Sequence, residues 1–123
     1  MLFRSYDDPA GRMNQYLGKV DKPFIVGEFG VSSDLGQSPW RGEVAASDPA
    51  ARTRSMEDWF NKAIRHPLLV GAHFFQFRDQ PVSGRGDGEA TLRGFVNGSD
   101  TPHFDLVELN RRLGHNLYEA RSK

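Results

Sequence analysis

Leu68-Leu69-Val70-Gly71-Ala72-His73-Phe74-Phe75-Gln76-Phe77 and Phe24-Ile25-Val26-Gly27-Glu28-Phe29 are the two stretches on which the fold of this 123-residue chain turns. Neither alternates polar with apolar residues. Near-continuous apolar strands mark a parallel sheet covered on both faces. The roughly 40 residues between the two stretches leave ample room for the crossover helix that a parallel connection requires.

The helix is written where it is needed. Asp48-Pro49 sets a capping oxygen before a proline suited to the first helical position, and Met56, Trp59, Phe60, Ala63 and Ile64 then recur on one helical face until His66-Pro67 stops the run. A helix over 52–66, packed on one face of strands 24–29 and 68–77, is the expectation. Asp8-Pro9 opens a similar stripe of Met13, Tyr16, Leu17 and Val20; Thr101-Pro102 opens a third, looser one, with Leu106, Leu109, Leu113 and Leu117 and with Gly114 as its candidate end or weak spot.

Two parallel strands cannot make a sheet buried on both faces, and no third β-branched run exists. The expected fold is therefore α/β, with residues 1–123 one unit forming the C-terminal portion of a larger barrel or doubly wound sheet. A small α/β domain is the alternative. Unpaired strand edges also predict self-association.

Sixteen basic and sixteen acidic residues cancel, so the basic excess that a nucleic acid or an anionic membrane would select is absent; neither is expected as a partner. No apolar run approaches a membrane span. The absence of cysteine removes disulfides, thiol catalysis and cysteine metal ligands.

Glu28 stands out first. An ionisable group at the end of an apolar parallel strand costs several kcal/mol if buried without partners, and strand carboxyl ends are where barrels project catalytic groups. The plainer reading has Glu28 pair with an arginine of a neighbouring loop and merely end the strand. The second strand ends in His73, Phe74, Gln76, Asp79 and Gln80, interleaving aromatic, amide and charged groups. A sugar asks for such a mixture: an aromatic for its C–H face, paired donors and acceptors for its hydroxyls. A lone strand histidine such as His73 is more often a satisfied core residue. The stretch from Val82 to Gly94 is long enough to be functional, with glycines for flexibility and Arg85, Asp87 and Glu89 for charge. Asp87 and Glu89 would repel a phosphate and are too few for a calcium loop.

Lys22-Pro23-Phe24-Ile25-Val26-Gly27-Glu28-Phe29, read with Val70 to Pro81, Gly84 to Glu89 and Gly94-Phe95-Val96, resembles the last quarter of the agarase-like enzymes of glycoside hydrolase family fifty and their β-galactosidase-type relatives. The likeness covers roughly residues 20 to 113. It implies strands seven and eight, with flanking helices, of a (β/α)8 TIM barrel. It implies a retaining glycosidase acting on β-linked, agarose-like galactan, with Glu28 as nucleophile and the acid/base supplied from outside the chain. His73, Phe74, Gln76, Asp79, Gln80, Arg85, Asp87 and Glu89 become candidates for sugar contact or for holding the loop. The chain departs from those relatives at Phe74, where they usually carry Trp, and at Ala90, where Asn is usual. No metal or organic cofactor is implied, and the partner is an oligo- or polysaccharide. A non-catalytic carbohydrate-binding module is the other function that keeps the aromatic strand end.

Overall fold

The computed structural model describes residues 21–33 and 45–122. The stripe from Met13 to Val20 lies outside them. In chain order the elements are β1 (Phe24–Phe29), β2 (Ser32–Ser33), β3 (Ala45–Ala46), α1 (Pro49–Ala63), β4 (Leu69–Phe74), α2 (Phe104–His115) and α3 (Leu117–Arg121). β1 and β4 are adjacent and parallel, as their apolar content predicts. The two-residue strands β2 and β3 also pair in parallel. They carry no β-branched signal, and the sequence reading missed them.

α1 starts at its expected cap: the Asp48 side chain accepts a hydrogen bond from the Ala51 amide at 2.7 Å, with Pro49 in the first turn. It ends at Ala63, earlier than the His66-Pro67 stop demands. The intervening residues make tighter turns, with the His66 amide bonded to the Ala63 carbonyl and the Leu69 amide to that of His66. Trp59 and Ala63 of α1 pack on Val26 of β1 and Leu69 of β4. The Trp59 ring stacks on Phe29 with centroids 4.2 Å apart. A second cluster joins Val31, Ala46, Met56, Leu106 and Leu109, so α2 packs on the other flank of α1. Arg52, buried in α1, reaches Asp105 of α2 at 2.9 Å.

Three expectations need correction. The expected cap at Thr101-Pro102 does not form, because Asn97 Oδ1 accepts from the Thr101 amide and Pro102 bridges Val96; α2 begins at Phe104 with His103 at the cap position. Gly114 does not end that helix, which runs through it to His115 and breaks at Asn116. The second strand spans Leu69–Phe74 rather than 68–77, since the chain bends away after Phe75.

Only one face of the β1–β4 pair is covered by the described residues. Val26 is fully buried under α1, whereas Ile25, one residue earlier, is half exposed on the opposite side. Ile25 lies across from Gly71, whose missing side chain would touch it. On the helical side, a cavity of about 580 Å³ opens between β4 and α1–α3, lined by Trp59, Phe60, Leu69, Val70, Leu113 and Tyr118.

Candidate active site at the carboxyl end of the strand pair

Local register decides which way Glu28 points. Val26 pairs with Ala72 and Phe29 with Phe74, so Gly27 and Glu28 together stand opposite the single residue His73. Two residues against one is a bulge, and a bulge re-aims the side chains that follow it. Val26 and Phe29, three apart, both meet Trp59 on the α1 side. Because neighbours along a strand point to opposite faces, Glu28 is turned to the open face. Strict alternation from Val26 would have sent it under the helix.

Glu28 is partly exposed there. Among the described residues, no hydrogen bond or ion pair engages its carboxylate, and no arginine closes on it. The reading in which Glu28 merely pairs and ends a strand finds no partner for it among the described residues. His73, opposite the bulge, is exposed rather than a satisfied core histidine, and it too makes no side-chain hydrogen bond to the described residues.

Beyond the strands the two chains stay in close contact. The Phe75 amide donates to the Phe29 carbonyl at 2.7 Å, and a side chain at Gly30 would overlap the Phe75 carbonyl oxygen. Phe74 packs inward against Phe29 and Phe95, with centroids 5.7 Å and 4.4 Å away. It sits on the helical side, away from the face Glu28 occupies. Phe75, the next residue, lies just past the strand end, and its ring is partly exposed. The guanidinium carbons of Arg85 and Arg93 lie 5.7 Å and 5.6 Å from its centroid. Phe75 and Arg93 were both missed in the sequence. The signals were there: of two adjacent strand phenylalanines only one can face the core, and Arg93 stands four residues after Glu89.

The loop after β4 is built and largely self-satisfied. Asp79, almost wholly buried, accepts from the Gly94 amide at 2.7 Å and lies 2.7 Å from His103 Nε2. Gln80, also buried, accepts from both the amide and the hydroxyl of Thr91 and donates to Glu89 Oε2 at 2.6 Å. Glu89 in turn receives Arg93 at 3.1 Å and Arg85 at 3.4 Å. Asp87 accepts from Arg85 and from the Glu89 amide. Gln76 donates to the Arg78 carbonyl at 2.7 Å. Arg78 pairs with Asp100. The glycines serve turns here rather than flexibility, with Gly84 and Gly88 at φ of 81° and 86°.

The chain thus presents two parallel strands, a carboxylate with no partner among the described residues at their carboxyl end, and a hydrogen-bonded loop beside it. No protein-family model matches the chain. It is 37% identical over 108 residues to beta-agarase B of Vibrio sp. (strain JT0107), a match covering 87% of this chain and 11% of that protein. It superposes on an exo-beta-agarase with a TM-score of 0.84 and 34% identity, over 94% of this chain and 16% of the other. The agarase AgWH50C gives a TM-score of 0.85 and 31% identity, over 94% and 18%. The chain is thus homologous to a small part of the beta-agarases, and its structural neighbours are agarases of glycoside hydrolase family fifty. It spans about a tenth of the length of the curated relatives it matches.

Proposed function

We propose that this chain supplies strands seven and eight of a (β/α)8 barrel glycosidase that cleaves agarose-type β-linked galactan with retention, and that Glu28 is the nucleophile. The observation that carries the reading is the bulge at Gly27-Glu28, which turns a carboxylate with no partner among the described residues onto the open face at the carboxyl ends of two parallel strands. In a barrel that face is the interior and those ends form the active-site rim. The half-exposed Ile25 and the open strand edges are then the surfaces on which the remaining strands close.

In the reaction, a Glu28 carboxylate oxygen attacks the anomeric carbon as the glycosidic C–O bond breaks. A carboxylic acid about 5 to 5.5 Å away, contributed from outside these residues, gives its proton to the departing oxygen. That group then deprotonates a water, whose oxygen displaces Glu28 from the anomeric carbon. Of the other candidates, His73 and Arg85 are assigned to sugar contact. Asp79, Gln80, Asp87 and Glu89 are assigned to the loop that frames the site, Gln76 to the turn after β4, and Phe74 to the core behind it.

The test is Glu28→Gln in the full-length protein that carries this segment. Release of reducing ends from agarose should fall by about four orders of magnitude or more, since the amide keeps the shape and loses the nucleophile, while agarose oligosaccharides still bind. Hydrolysis within a few-fold of the unmodified protein would overturn the assignment. Proton NMR of the first-formed anomer tests retention, and an inverted product would refute it.

A further inference from the structure

Four side chains behind the loop close a hydrogen-bonded ring. Gln80 Nε2 donates to Glu89 Oε2 at 2.6 Å; Arg93 Nη2 donates to Glu89 Oε1 at 3.1 Å; Arg93 Nε donates to the Thr91 hydroxyl at 2.6 Å; that hydroxyl donates to Gln80 Oε1 at 2.8 Å. Gln80 and Thr91 are buried, and the Arg93 side chain is only 15% exposed. The planar fork of Arg93 is held at Nε and Nη2 by different acceptors, so it has one orientation rather than a family of them. The guanidinium lies over the Phe75 ring, 5.6 Å from its centroid. Arg85, tied to the same Glu89 carboxylate, approaches the same ring.

We infer that Arg93 is a positioning residue for the proposed reaction: through the ring it forms with Gln80, Glu89 and Thr91, it fixes the Phe75 side chain at the rim of the open face beside Glu28, and thereby sets where the sugar lies. The inference rests on the glycosidase reading. Phe75 follows β4 directly, bonded to the Phe29 carbonyl next to Glu28, and keeps part of its surface exposed. An aromatic at that place limits where a sugar ring can sit, and a guanidinium packed on it adds a cation–π contact that only one ring orientation satisfies. Glu89 orients both arginines and is itself oriented by Gln80. A loop serving only as a cover would need the buried Gln80–Thr91 contacts but not two guanidiniums on a strand-end phenylalanine.

The experiment is a double-mutant cycle in the full-length protein, with agarose-derived tetrasaccharide as the probe. Arg93→Met should raise KM about tenfold with kcat changed less than about threefold; Phe75→Leu should do the same; and the pair together should be no worse than Phe75→Leu alone, because one acts through the other. Arg93→Lys keeps a charge over the ring and loses the fork, so it should recover about half of the effect on a logarithmic scale. Multiplicative losses in the double variant, or an unchanged KM with a lowered melting temperature only, would overturn the inference. The cycle is repeated for binding, by calorimetry, in a Glu28→Gln background. Coupling there upholds the role of Arg93 even if Glu28→Gln remains active and the nucleophile assignment falls. Absence of both hydrolysis and tetrasaccharide binding in the unmodified protein would overturn both.

Discussion

Gly30→Ala probes the junction on which both the site and the fold depend. The added methyl would overlap the Phe75 carbonyl oxygen, a backbone atom that no rotamer change can move, and would also touch the Phe74 ring at 3.7 Å. The carbonyl must withdraw by roughly 1 Å, which costs about 1–3 kcal/mol as overpacking. Moving Phe75 also strains or breaks its 2.7 Å amide bond to the Phe29 carbonyl, about 1 kcal/mol more. The local loss is therefore about 2–4 kcal/mol, which corresponds to roughly 30- to 1000-fold faster amide exchange where local opening governs it. Hydrogen–deuterium exchange of the peptide spanning 73–77, in the full-length protein, reads this directly. Gly98→Ala is the control, because a side chain there meets nothing within 4 Å and should change stability by less than about 0.5 kcal/mol. Agarose hydrolysis by Gly30→Ala should drop by up to about 100-fold, the cost of misplacing reacting groups by an ångström. Equal exchange in the two variants would show that the strand ends tolerate separation and would remove the rationale for a rigid site there.

Trp59→Ala should cost about 3–5 kcal/mol in a thermal or urea melt, since it deletes the ring stacked on Phe29 and the centre of the core beneath β1 and β4. Arg52 is buried with Nε and Nη1 unbonded, so Asp105→Asn should destabilise more than Arg52→Met: the first leaves a buried charge without its carboxylate, the second removes charge and desolvation cost together. Paired melts decide the order. The hydrogen bond from Arg112 holds the Glu57 carboxyl below its ordinary value; its contribution is complete above that ordinary value and is lost as pH falls through the lowered one. Melts between about pH 6 and pH 2 should then show a shallower acid limb for Glu57→Gln, and an unchanged limb would refute the coupling. Expressed alone, residues 1–123 should self-associate through the open edges of β1 and β4, and a monomer independent of concentration in sedimentation would contradict this.

The parallel pair, the crossover helix and the Asp48 cap were legible because each rests on local chemistry: apolar continuity, helical spacing, a capping oxygen before proline. The α2 start was not. Thr101-Pro102 has the same local grammar as Asp48-Pro49, but the side chain of Asn97, four residues earlier, claims the Thr101 amide in a tight turn, and Pro102 bridges back to Val96. The resemblance singles out Asp79, Gln80, Asp87 and Glu89 without saying how they are bonded: Gln80 and Asp87 both connect to Glu89, whereas Asp79 turns to the Gly94 amide and His103. The ring that Gln80 and Glu89 close depends on Thr91 and Arg93, which carry no motif. Phe74 is singled out by the resemblance, standing where relatives usually carry Trp, while spacing shows only that two adjacent rings must split between faces and leaves open which goes where. Phe95, twenty-one residues later, decides it by packing on Phe74.

The orientation of Glu28 shows the same boundary in its sharpest form. Counting alternation from the buried Val26 puts Glu28 on the helical face, where an unpaired carboxylate against Trp59 would be costly. The structure removes the conflict by spending one extra residue, Gly27, against His73. Nothing in the composition of Phe24-Ile25-Val26-Gly27-Glu28-Phe29 announces a bulge except glycine beside an acid, a pair that fits a strand end equally well. The decisive constraint is tertiary: Phe29 must reach Trp59 and Phe74 at the same time, and it does so only if the strand gains a residue after Val26. The core interaction that stabilises the helical face is thus the one that delivers the carboxylate to the opposite face.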